Sequence, residues 1–295
     1  MFGIINLNKP TGMTSHDAVQ KIRRILKIKQ VGHSGTLDPF AQGVLPIFIG
    51  KATKLIQYFD TSKIYRAYVK LGISTETFDS EGEIIQQQAV KLDLEQTNKA
   101  LMNFQGEITQ TPPMHSAVHY KGKRLYEYAR KNIEIEDIPQ RQVTINSIKL
   151  IETLDETSEN PQIVLDIDCS GGTYIRSIAN DLGNILGYGA YLQNLIRIKS
   201  GKFEIQDSLD FEQIEEAAKN GKIGSLLINP IDVLDLLPIQ INKDDLIKIK
   251  MGQIIDPPEN IALEEEQTIL LVFENQICAV AFFKENNICP RNVFV

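Results

Sequence analysis

Residues 32–46 read GHSGTLDPFAQGVLP, three glycines and two prolines around a single aspartate, Asp38, with His33 five positions upstream. Proline removes a backbone donor, and glycine is entropically costly in helices and strands alike. The stretch is therefore expected to be neither a regular helix nor a central strand. A residue that precedes proline is pushed out of the α region, which places Asp38 in an extended or turn geometry. The flanking glycines let another backbone or a ligand come close. Two readings of Asp38 follow from these residues alone. It caps a turn or the helix after it, or it is a nucleophile or base at the rim of a pocket.

The rest of the chain is built from ordinary globular material, 42% hydrophobic and 23% charged over 295 residues, enough for a sizeable core and for two domains. MFGIINLNKP lacks a basic leader and a cleavage site, and reads as a strand. No apolar run approaches the roughly 20 residues of a membrane span. Cys169, Cys278 and Cys289 are odd in number with no CxxC pair, which points away from a disulfide framework and a zinc site. A reduced, metal-free cytoplasmic protein is expected.

Hydrophobic spacing predicts a helix behind Thr14 or Ser15, with Ala18, Val19, Ile22, Ile25 and Leu26 on one face. VLPIFIG reads as a buried strand, 51–59 as a helix, KIYRAYVKLGI as an alternating strand, and 92–104 as a helix. PQIVLDIDCSGG is a strand ending in a glycine turn, TYIRSIANDLGNILG a helix closed by Gly187 or Gly189, and AYLQNLIRIKSGKFEI a hairpin. Strands and helices mix without βαβ alternation, so the fold class is α+β. Beyond 229–240, short strands split by turns suggest a small β-barrel or meander.

Charge is unevenly spread. Residues 1–70 hold eleven Lys/Arg against three Asp/Glu, while residues 211–295 hold seven against fourteen. A basic first quarter on an acidic body suggests a surface that faces a polyanion, or simply one solvated helix face, KIRRILKIK.

Five separated stretches occur in order: NKPTGMTSHDAV, GHSGTLDPFAQGVLPIFIGKATKL, KIYRAYVKLGISTETFDSEG, KGKRLYEYAR and CSGGTYIRSIANDLG. Together they resemble the bacterial tRNA pseudouridine synthase B family over about residues 3–210. The resemblance implies a catalytic domain over 1–232 with a mixed, mainly antiparallel sheet flanked by helices. It also implies an RNA-binding flap around 110–140 and a PUA-like RNA-binding barrel over 233–295. The implied reaction is isomerisation of uridine 55 in the T-loop of tRNA, with the T-arm as partner; nothing in the sequence hints at more than a monomer. That reaction breaks an N-glycosidic bond and rejoins the same uracil through carbon, gaining and losing no atom, so no cofactor or metal is expected. By motif position, Asp38 is the nucleophile, kept ionised by a nearby cation, Arg176. Tyr65 stacks on the target base and serves proton transfer, Tyr174 contacts substrate, and Leu195 lies against the flipped uracil. His33 fills the space that the extruded base leaves. Lys9, with Lys121, Lys123, Arg124 and Arg130, meets phosphates. The rival readings are a guide-RNA-dependent pseudouridine synthase of the archaeal and eukaryotic type, and a non-catalytic RNA-binding or RNA-folding protein.

Overall fold

In the computed structural model, which describes residues 1–131, 133, 135 and 137–295, Thr14 opens the first helix. Its hydroxyl accepts the Asp17 amide at 3.0 Å, and the Asp17 carboxylate accepts the Thr14 amide at 3.1 Å, a reciprocal cap. In chain order come β1 (Gly3–Lys9), α1 (Ser15–Leu26), β2 (Val31–His33), β3 (Gln42–Ile49), β4 (Lys63–Leu71), β5 (Ile73–Thr75), β6 (Ile84–Gln87) and α2 (Leu94–Leu101). Then follow β7 (Gly106–Gln110), β8 (His119–Tyr120), β9 (Lys123–Arg124), α3 (Leu125–Ala129), β10 (Arg141–Leu154), β11 (Gln162–Cys169), α4 (Ile175–Leu186), β12 (Ala190–Ser200) and β13 (Phe203–Glu204). The chain closes with α5 (Phe211–Lys219), α6 (Pro230–Val233), β14 (Leu237–Gln240), α7 (Lys243–Lys250), β15 (Thr268–Phe273), β16 (Gln276–Lys284) and β17 (Asn287–Val293). The expected helix at 51–59 is a 3-10 helix, Gly50–Tyr58.

Among the described residues, the main sheet runs β1-β3-β12-β4-β11-β10-β7, with β2 added on β3 and β13 on β12. Only β3 and β12 pair in parallel, so the sheet is mixed and mainly antiparallel. The expectation that 32–46 holds no central strand fails for its second half, since β3 lies between β1 and β12 and contains Pro46. The reason lies in how the edges are shared. β1 lines one edge of β3 from Gly43 to Ile49, whereas the other edge bonds β12 at residues 42–43 and β2 at 47–49. Pro46 falls between those two ladders, where no donor is required, and its carbonyl accepts the Ser34 amide at 3.2 Å. Gly43 makes the parallel step possible: with φ +110, a Cβ there would lie 2.3 Å from the Arg197 carbonyl oxygen.

Burial in β4 alternates strictly, with Lys63, Tyr65, Ala67, Val69 and Leu71 turned inward. That face, with Ile163, Leu165 and Leu192, meets the apolar sides of α1, α2 and α4 in one core. The Gly187 cap, at φ 82, ends α4 and lets the chain return as β12, hydrogen-bonded to β4. The second sheet runs β14-β15-β16-β17, with β14 parallel to β15 and the rest a meander. It packs on the far side of the main sheet, where Leu270, Val272, Val280 and Phe294 meet Ile4, Val44, Phe48 and Phe59.

Candidate active site

The loop that carries Asp38 is held from beneath. Ser15, buried at the start of α1, accepts the Leu37 amide at 2.8 Å and donates to the Leu37 carbonyl at 3.1 Å. The Pro39 carbonyl accepts the Gly12 amide at 2.9 Å, and Ala41 closes a turn on the Asp38 carbonyl at 3.1 Å. Lys9 belongs to this scaffold. It is fully buried, and its ammonium donates to the Pro10 and Met13 carbonyls at 2.9 and 2.8 Å. The expected phosphate contact for Lys9 is therefore corrected: its charge lies inside the fold, where burial lowers its pKa to about 8.

With its backbone pinned, the Asp38 side chain caps no turn or helix among the described residues and faces Arg176. Nη2 of Arg176 donates to Oδ1 at 3.2 Å, and Nε lies 3.0 Å from Oδ2. Arg176 stands in the first turn of α4, only 5% exposed, so its charge needs partners inside the protein. It has three. Nη1 donates to Asp79 at 3.1 Å, and Nη2 also reaches the His115 carbonyl at 3.0 Å. Asp79 is itself buried and is fixed by the Thr77 hydroxyl and the Glu81 amide. Burial pushes the Asp38 carboxyl above its ordinary value, Arg176 opposes that shift and Asp79 adds to it. The expected cation is present, yet it lowers a pKa that the site as a whole raises.

A cavity of about 830 Å³ opens above this pair. Asp38 and Arg176 line it, as do Tyr65 from β4, Leu195 from β12 and Tyr174 just before α4, so five of the seven expected residues converge. Tyr65 is buried, which pushes its phenol up and keeps it protonated at neutral pH. His33, on β2, is half-buried outside the lining; burial lowers its pKa, and the Gly35 backbone opposes that shift.

The segment after β7 reaches the same cavity, with His115, Tyr126 and Arg130 in its wall. Arg130 lies over the Tyr126 ring at 5.1 Å, and Lys121, Lys123 and Arg124 are exposed. The root of this segment is bonded to the start of α4. The Gln110 amide nitrogen donates to the Tyr174 carbonyl at 2.9 Å, its oxygen accepts the Tyr174 amide at 2.7 Å, and Ser177 donates to the Thr111 carbonyl at 2.9 Å. Of the expected flap over 110–140, positions 132, 134 and 136 lie outside the described residues. Sequence reasoning missed Asp79 and Gln110. Asp79 sits in STETFDSEG, where an acid beside Ser and Gly reads as an ordinary turn.

Residues 23–175 match the family model described as TruB family pseudouridylate synthase (N terminal domain), and residues 176–234 match the tRNA pseudouridylate synthase B C-terminal domain. A curated relative, tRNA pseudouridine synthase B of Gloeothece citriformis, is 46% identical over 276 residues, 93% of this chain and 88% of that protein. Another of the same name, from Dehalococcoides mccartyi, is 45% identical over 89% of this chain and 88% of that protein. Among solved structures, a chain in the crystal structure of a Cbf5-Nop10-Gar1 complex matches with a TM-score of 0.75 at 22% identity, over 100% of this chain and 85% of that one. At that identity the likeness concerns the fold.

Proposed function

Since the chain belongs to the TruB family of pseudouridylate synthases and forms pseudouridine in tRNA, we propose that its target is uridine 55 in the T-arm and that Asp38 is the nucleophile. The observation that carries this reading is the Asp38–Arg176 pair at the floor of a cavity walled by Tyr65 and Leu195. The carboxylate forms a covalent adduct with the nucleotide; over the reaction the N1–C1′ bond breaks and a C5–C1′ bond forms, C5 gives up its proton, N1 takes one, and Asp38 is released. Arg176 holds it in place and offsets its burial. Tyr65 and Leu195 hold the freed uracil until it rejoins through carbon, and Tyr174 contacts the nucleotide from the α4 side. Such a cavity admits one nucleotide taken out of its stack, which fits a target inside a folded loop. His33, next in sequence to the lining residue Ser34, fills the place of the extruded base, and Arg130 with Lys121, Lys123 and Arg124 contacts the backbone. Residues 1–232 are read as the catalytic domain and 233–295 as a PUA-like RNA-binding unit, acting as a monomer.

A guide-RNA-dependent synthase shares this architecture, and the identity to stand-alone relatives favours the guide-free reading. The test is a bare T-arm hairpin incubated with the purified protein. Pseudouridine at the position equivalent to 55 is expected; turnover only after a guide RNA is supplied would overturn the reading.

A further inference from the structure

Below the Tyr65–Leu195 wall lie two cations that the reaction above does not use. Lys63 is inward-facing on β4, two residues before Tyr65, and lines the cavity at 9% exposure. Arg197, on β12 opposite Tyr65, is fully buried. Its Nε and Nη2 donate to the Val44 and Gly35 carbonyls at 2.6 and 3.1 Å, Nη1 makes no hydrogen bond among the described residues, and the guanidinium lies beside the Tyr65 phenol. Lys63 donates to the Thr61 carbonyl. Among the described residues, neither cation has a carboxylate within 4.0 Å. Asp60 is the nearby acid in the cavity wall, and its oxygens are taken by the Ser62 amide and hydroxyl. Gly35 keeps the space between the cations open. A Cβ there would stand 2.9 Å from Lys63 Cε and 3.5 Å from both Lys63 Nζ and Arg197 Nη1.

Two adjacent buried cations without an anion are costly, because each is desolvated and each repels the other. We propose that Lys63, backed by the charge of Arg197 and the opening at Gly35, is the seat for one backbone phosphate of the RNA, a phosphodiester flanking the nucleotide whose base enters the cavity. Two residues along β4 span about 7 Å, which is the reach of a nucleotide from its base, placed at Tyr65, to its phosphate, placed at Lys63. The electrostatics agree: burial, followed by Arg197, lowers the Lys63 pKa to about 8, and a bound anion would restore its proton.

The seat rests on the reading of the cavity as a nucleotide site, and the experiment separates the two. T-arm hairpins are made with one methylphosphonate linkage at a time, behind a 2′-deoxyribose that stabilises it, and compared with the matched 2′-deoxy phosphodiester in single-turnover and binding assays. At one linkage flanking the isomerised uridine, wild type is expected to lose about tenfold in affinity. Lys63→Met loses about as much on the phosphodiester and nothing further on the neutral linkage, and its log–log salt slope for binding falls by about 1. Lys63→Arg keeps both the affinity and the sensitivity. Lys63→Gln is the second neutral variant should the methionine not fold. Wild type that tolerates neutral linkages on both sides of the uridine, or a neutral variant that stays as sensitive as wild type, overturns the seat. Wild type that forms no pseudouridine in the unmodified hairpin instead overturns the reading beneath it.

Discussion

Arg176 is held between two carboxylates that serve different ends. About a third of the Asp38 side chain is exposed and faces the cavity, whereas Asp79, also in the cavity wall, is almost fully buried against the guanidinium and orients it. Asp79→Asn leaves Arg176 with Asp38 as its one ionic partner and frees its plane to tilt. The single-turnover rate is expected to fall about 10²-fold, as misplacement of a reacting group by about an ångström does, while tRNA affinity measured by filter binding changes little. An unchanged rate would remove Asp79 from the catalytic geometry. The protonation of Asp38 gives a second prediction. The carboxylate is the reactive form and its folded pKa is raised by burial, so activity is present above that pKa and lost as pH falls through it. The acid limb of the single-turnover profile should therefore lie above about 3.9, the value of a free aspartate. Arg176, Asp79, Lys9 and Glu81 are the charged groups that face this carboxyl, and Glu81 is itself raised by partial burial. A limb at or below the free value would mean that Arg176 outweighs burial. Neither residue 79 nor the sign of this shift was legible in the sequence. Asp38 and Arg176 stand in motifs that a resemblance registers, but the groups bonded to Arg176 lie 61, 97 and 138 positions away.

At the scale of elements, Gln110 joins the end of β7 to the start of α4, beside the Ser177–Thr111 bond. The two bonds from Gln110 to the Tyr174 backbone imitate a rung of sheet between a strand end and a helix start. They fix the residue two before Arg176 at the point where the segment toward His115 departs. Gln110→Met preserves length and removes both bonds. The single-turnover rate should drop about tenfold, with tRNA affinity within about twofold, as expected for lost orientation; an unchanged rate, or affinity falling in step with rate, would make the contact merely structural. Element order was largely readable in advance, since α1, β4, β11, α4 and the β12–β13 hairpin follow from local periodicity and caps. VLPIFIG was readable as a buried strand, but its central place was not, because a proline's cost depends on which strand lies opposite it, and that is decided by β2 and β12 together. Lys9 misled for a similar reason. A lysine beside a proline turn looks solvated until the turn's own carbonyls close over it.

At the scale of the molecule, charge and packing both depart from what linear segments suggest. Of the eleven cations in residues 1–70, Lys9 and Lys63 are buried, and Lys21, Arg66 and Lys70 pair with Glu215, Asp166 and Asp155. A basic stretch of chain is thus partly spent inside the fold. The second sheet, which composition alone marks as a separate unit, shares a core with β1 and β3 through Phe48, Phe59, Leu270 and Phe294. A chain ending at residue 232 would expose that face, and each large side chain uncovered costs about 1.5–3 kcal/mol. Such a truncation should melt well below the full chain or aggregate; an equal melting temperature would show that the second sheet is only tethered. The most direct test of the whole account is pseudouridine mapping in full-length unmodified tRNA incubated with wild type or Asp38→Asn, alongside tRNA binding by both. Pseudouridine at position 55 with wild type and none with the variant, at comparable binding, is the predicted result. Turnover by the variant, or wild-type modification elsewhere in the tRNA, would contradict it.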